Sequence, residues 1–188
     1  SQRFVLEEAS YVFYGMIYGY QVIYRPPDRF HHQDETFVVI PENPAMIRPD
    51  DLDIYHVSQT NRRFYYSVRK PLSNFENARI REWQRADKET TQALGAAALA
   101  TASPEITGSA WQNLEPELVI ELRKAAIDNA IKVGIRSHFR GILRRKPAQI
   151  RVHLALSAVP EIAIGQGEIL AKVRLSIGQY SLENYETR

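Results

Sequence analysis

Two kinds of apolar pattern run along this chain, and the first is the harder to place. From Ala9 to Tyr24 there is no charged residue, and Tyr11, Tyr14, Tyr18, Tyr20 and Tyr24 punctuate the run. A helix that crosses a bilayer needs about 20 apolar residues, and tyrosine favours the interface over hydrocarbon. The run is too short and too polar to span. With period two, Val12, Tyr14, Met16, Tyr18, Tyr20, Val22 and Tyr24 share one face. Tyr11, Phe13, Gly15, Ile17, Gly19, Gln21 and Ile23 share the other. Both faces are largely apolar, which predicts a strand covered on both sides from Gly15 to Tyr24. Val5 to about Val12 reads either as its beginning or as a short helix leading into it. Gly15 and Gly19 leave room for another backbone. Arg25-Pro26-Pro27-Asp28 ends the pairing.

The later pattern is clearer. Thr36 to Ile40 reads as a second strand paired back on the first, followed by a loop holding Pro41, Pro44 and Pro49. Leu52–Ser58 and Arg63–Arg69 form a hairpin with Phe64, Tyr66 and Val68 on its apolar face. Ser73 and Glu76 have capping-box spacing and open a helix expected from Asn74 to about Ala100. Its second half is rich in alanine. A second long helix runs from about Glu115 to Arg145, with Pro116 in its first turn and Pro147 closing it. Ile150, Val152, Leu154 and Leu156 then alternate with wetter residues. Gly165-Gln166-Gly167 turns the chain, and Ile169, Ala171, Val173, Leu175 and Ile177 alternate back. That is a long hairpin with one apolar face.

The second long helix carries three bands at 100° per residue. Ala126, Ala130, Gly134, Ser137 and Gly141 form a stripe of small residues. Ile120, Ile127, Ile131, Ile135 and Ile142 lie beside it. Lys132, Arg136, Arg140 and Arg144 make a basic ridge on the far side. Glycine in a helix costs up to about 1 kcal/mol relative to alanine, so the small stripe predicts close approach by a partner. The alanine-rich half of the first helix, with Ala93, Ala97 and Ala100, is the expected partner. The ridge is expected to face solvent.

These elements predict one α+β domain over residues 1–188. Its plan is two-layered: an antiparallel sheet of about five or six strands covered on one face by two long helices. The stretch at about 93–113 separates two strand–helix halves.

Composition narrows the chemistry. The 188 residues hold no cysteine, which excludes thiol catalysis, disulfides and cysteine-based zinc sites. The formal net charge is +2, a weaker imbalance than most nucleic-acid-binding domains show. Yet from Lys132 to Arg151 there are seven Lys or Arg and no acid. Such a ridge suits phosphates of nucleic acid or anionic lipid; the plainer alternative is a solvated face whose cations complement the helix C-terminus.

His31, His32, Asp34 and Glu35 are metal-ligand types in one loop, but adjacent histidines seldom reach one ion and no HExxH spacing occurs. Asp50, Asp51 and Asp53 lack the EF-hand spacing. No GxSxG or SxxK motif is present. Glu7, Glu8 and Glu82 are the nearest candidates for a paired-carboxylate site. No metal or other cofactor is expected.

The resulting expectation is a non-enzymatic binding or scaffolding module. It favours a protein partner or self-association and export to a bacterial cell envelope, periplasm included, with the cytoplasm as the alternative. An opening Ser1 rather than Met fits removal of an upstream segment. Two rivals stand beside it. One is polyanion binding through Lys132, Arg136, Arg140 and Arg144. The other is a small-molecule enzyme or ligand-binding protein with a pocket between helices and sheet.

Overall fold

A computed structural model describes residues 2–61, 63–90, 94–101, 115–165 and 168–186. In chain order the elements are α1 (Gln2–Ile17), β1 (Tyr20–Arg25), β2 (Thr36–Ile40), β3 (Asp53–Thr60), β4 (Arg63–Arg69), α2 (Asn74–Thr90) and β5 (Leu94–Thr101). Then follow α3 (Pro116–Ile142), β6 (Gln149–Leu156), β7 (Glu161–Gly165) and β8 (Glu168–Glu183). The class is α+β. One antiparallel sheet has the order β2-β1-β6-β8-β5, with β7 also paired to β8, and β3–β4 form a separate hairpin.

The tyrosine-rich opening is the first correction. Gly15 to Ile17 are helical, and the strand begins only at Tyr20. The physical reason lies in what surrounds α1. Ser10, Val12, Tyr14, Gly15 and Ile17 are buried, while much of the remaining surface packs against α3, α2 and the turns near Pro44 and Pro49. A helix covered nearly all round shows no amphipathic period, so period two fits it just as well.

Each glycine of the pair has its own task. A Cβ on Gly15 would lie 2.4 Å from the Tyr20 ring, so its absence lets the ring lie against α1. Gly19, at φ +76°, reverses the chain after α1 and donates its N–H to the Tyr14 carbonyl at 3.1 Å.

The second correction concerns Asn74 to Ala100. Ser73 does cap α2: its hydroxyl accepts the Glu76 N–H at 3.1 Å. But α2 ends at Thr90, and the alanine-rich stretch becomes β5, paired with β8 from Leu94↔Leu175 to Thr101↔Glu168. Alanine's helix preference is a few tenths of a kcal/mol per residue. Pairing the open edge of β8 satisfies a row of backbone donors and acceptors and outweighs it. Ala93 lies outside the described residues.

The two helices over the core face are therefore α1 and α3. On that face Tyr20, Val22 and Tyr24 of β1, Ile150, Val152 and Leu154 of β6, and Ile169, Ala171, Val173, Leu175 and Ile177 of β8 are buried. They pack beneath Ile127, Ile131, Ile135 and Phe139 of α3. Helix α2 sits behind the sheet, where Trp83 meets His153 edge-on at 4.9 Å. Its indole N–H donates to the Ile17 carbonyl at 3.2 Å. The small stripe is buried at Ala126, Ala130 and Gly134 and open at Ser137 and Gly141. The segment it was expected to meet does run against α3, but as the strand β5.

The long hairpin is present with an interruption: β6 pairs with the far half of β8, and β7 with the near half. Its turn at Gln166-Gly167 lies outside the described residues. The β3–β4 hairpin forms as expected, except that Phe64 is 60% exposed rather than on a covered face.

Candidate functional site

Helix α3 spans the molecule, and its two halves treat charge differently. Near its start, Arg123 makes a two-pronged ion pair with Glu8, at 2.7 and 2.9 Å. One turn on, the Tyr11 hydroxyl donates to Asp128, and the Tyr20 hydroxyl donates to the Tyr11 carbonyl at 2.6 Å. The Lys124 ammonium lies 5.6 Å from the centre of the Tyr11 ring. Burial pushes the Asp128 carboxyl up to about 6, although the Tyr11 hydrogen bond and the Lys124 charge work against it. Burial likewise drives the Tyr11 phenol upward. This half is a closed polar joint between α1 and α3.

The C-terminal half is open. Lys132 pairs with Glu35 at 2.9 Å, and the Arg136 guanidinium approaches the same carboxylate at 3.8 Å. Tyr24 donates to Glu35 at 3.0 Å. Burial alone would raise the Glu35 carboxyl; the Lys132 and Tyr24 hydrogen bonds and the Lys132 and Arg136 charges together hold it below its usual range. Burial and then the Glu35 charge push the Tyr24 phenol up to about 12. Beyond this cluster no acid follows along the chain until after Arg151, although Asp28 and Asp34 line an adjoining hollow with Lys146. Among the described residues, Arg140, Arg144 and Arg145 have no acidic partner.

Those arginines rim a cleft of about 290 Å³ between the end of α3 and the strands beneath it. Tyr24, Phe139, Leu143 and Ile150 give it an apolar floor, and Pro26, Pro27 and Pro147 its sides. Lys146, also on the rim, donates to the Pro27 carbonyl. The ridge faces solvent as expected at Arg136, Arg140 and Arg144, and departs from that expectation at Lys132. Lys132 is largely covered and ion-paired, whereas Arg136, Arg140 and Arg144 form one wall of the cleft. Sequence reasoning missed Tyr24 and Phe139 as its floor. Arg145 and Lys146 were visible in the acid-free run but not as part of a concave site.

The other candidates are engaged elsewhere. His31 stacks on Tyr185 at 3.6 Å and faces Asp28, while Glu35 turns to α3, so the loop's ligand types diverge. Asp51 accepts the Arg48 N–H at 2.9 Å, and Asp53 pairs with Arg69 at 3.6 Å. Glu7 pairs with Arg3, Glu8 with Arg123, and Glu82 with Arg79.

Guanidinium is planar, always charged, and presents forked donors to carboxylate or phosphate oxygens. Three of them, without an acidic partner among the described residues, lie here beside an apolar floor. Among the described residues, no carboxylate or imidazole lines the cleft.

The fold and cleft define an α+β protein with an antiparallel sheet, two helices over its core face and a basic cleft at one end of α3. The chain belongs to a protein family of unestablished function, whose model matches residues 1–185. Comparison with curated proteins and with solved structures gives no match.

Proposed function

We propose that the protein is a non-enzymatic binding module that holds an amphipathic anion in the cleft at the end of α3. One observation carries this reading: Arg140, Arg144 and Arg145 converge there without an acidic partner among the described residues, over a floor of Tyr24, Phe139, Leu143 and Ile150. Complementing the C-terminal dipole of α3 accounts for about half a charge, far less than three guanidinium groups carry. The remainder calls for an anion from outside.

Calorimetric titration tests it. Dihexanoyl phosphatidic acid, soluble and amphipathic, is expected to bind more tightly than inorganic phosphate. Raising the salt should weaken binding, because the contacts are charged and partly open to solvent. The variant Arg140→Gln/Arg144→Gln/Arg145→Gln should lose it. Equal affinity of wild type and variant would remove the reading.

A second reading rests on the β3–β4 hairpin, where Tyr55, Val57, Phe64 and Tyr65 are all exposed. Exposed aromatics grouped on one element favour a protein contact, in line with a scaffolding role. Light scattering across a concentration series tests self-association through it. A Phe64→Ser/Tyr65→Ser variant should abolish any oligomer found.

A further inference from the structure

The surface around the cleft mouth is as unusual as the cleft. Ile142, the last residue of α3, is 51% exposed. It follows Phe139 by about one helical turn and so extends the same flank. Phe139 packs edge-on against Tyr180 of β8 at 4.9 Å. Tyr180 pairs with Val152, and Leu182 with Ile150, so both point to the core side of the sheet. That side has run out of helix to cover it there: Tyr180 is 46% exposed and Leu182 is exposed too. Gly141 has no atom within 4 Å of where a Cβ would stand. The end of α3 thus presents Ile142, Tyr180 and Leu182 as an apolar shelf. Arg140, Arg144, Arg145 and Lys146 line the cleft at the same end of the molecule, on the flank toward β1.

Resting on the anion-binding reading above, we infer that this end of the molecule docks on an anionic lipid surface, with a headgroup phosphate entering the arginine cleft and Ile142, Tyr180 and Leu182 reaching the acyl boundary. Charge selects this occupant. Four cations within seven residues match a negative leaflet and outnumber Asp28 and Asp34, which share a hollow with Lys146. A protein interface of this size favours a core depleted in charge, with polar groups paired across it. The apolar residues select it as well. An aliphatic tip with a tyrosine beside it suits the boundary of headgroups and chains, where an amphipathic ring is at home. No helix among the described residues is long and apolar enough to cross a membrane. The contact proposed is with the surface.

Sedimentation with vesicles tests this, using phosphatidylcholine alone or with one third phosphatidylglycerol. The wild-type chain should bind the anionic vesicles and leave the neutral ones. Each arginine at the surface is expected to carry roughly a fivefold factor. The triple glutamine variant should therefore bind about a hundredfold more weakly. Ile142→Asn and, separately, Leu182→Asn should weaken vesicle binding several-fold while leaving the titration with dihexanoyl phosphatidic acid unchanged.

The two readings fail differently. Binding of the soluble lipid without binding of anionic vesicles overturns the docking inference and leaves the cleft as a receptor for a soluble anion. Vesicle binding indifferent to both Ile142→Asn and Leu182→Asn also overturns it, since charge alone would then explain adsorption. Failure to bind either probe removes both.

Discussion

The two halves of α3 share one backbone and oppose each other in chemistry. At the start, the charges facing α1 are engaged: Arg123 with Glu8, Asp128 with Tyr11, and Lys124 over the Tyr11 ring. At the end, past Glu35, Arg140, Arg144 and Arg145 have no acidic partner among the described residues. Satisfied polar groups between packed elements hold geometry. Like charges gathered without counterions cost stability, so their presence at one place points to something the protein does. The contrast separates a structural joint from the proposed binding cleft along α3 and the three residues that follow it.

The contrast breaks first at Glu8. Its side chain is 13% exposed and that of Arg123 29%, so Glu8→Ala strands a largely covered guanidinium. A loss of about 2–4 kcal/mol is expected, seen as a fall in melting temperature of roughly 5–15 °C. An unchanged melting temperature would mean the joint is ornamental, and the comparison would lose one of its sides.

Asp128 sharpens the comparison through pH. Its folded value, about 6, lies above its ordinary 3.8. The native state therefore favours the protonated form. This group's contribution is full below about pH 4 and is lost as pH rises through 6. Asp128→Asn keeps an acceptor for Tyr11 and removes the ionisation. Stability at pH 7 should rise by about 1–3 kcal/mol, and the difference from wild type should vanish near pH 4. Denaturant titrations at the two pH values read this directly.

Glu35, at the boundary between the halves, should show the opposite slope. Its carboxyl is held below its ordinary 4.5, so its contribution is present above that value and fades as pH falls. The Lys132–Glu35 pair is partly open to solvent, which limits Glu35→Gln to under about 1 kcal/mol at pH 7. The same substitution should strengthen anion binding in the cleft, because it removes the nearest carboxylate from the arginine wall. Weaker binding in Glu35→Gln would assign Glu35 to positioning the arginines.

The smallest effect belongs to the open end. Arg140→Gln/Arg144→Gln/Arg145→Gln removes three exposed like charges, so stability should change by no more than about 0.5 kcal/mol per site, upward at low salt. A large fall would place these arginines in the fold's own support and collapse the distinction.

Much of this fold was legible from local pattern. Three short strands, the cap at Ser73, the span of α3 and the alternation of β6 and β8 each carry a signal complete within a few residues. The sequence also placed Arg136 and Arg140 on one side of a helix, because the 3.6-residue period does so wherever the helix goes; Arg144 lies past the helix end at Ile142. It misread Gly15 to Ile17 as strand, since a segment apolar all round repeats with no period. It misread Leu94 to Thr101, where a weak intrinsic preference yields to pairing with a strand some 70 residues later. The cleft was beyond its reach for the same reason. Tyr24 and Pro26 stand more than 100 residues before Arg140, and only the β1–β6 pairing carries them beneath the end of α3. Local pattern fixes which face of an element is apolar or charged; which faces meet is decided by burial and by the completion of backbone hydrogen bonds across the whole chain.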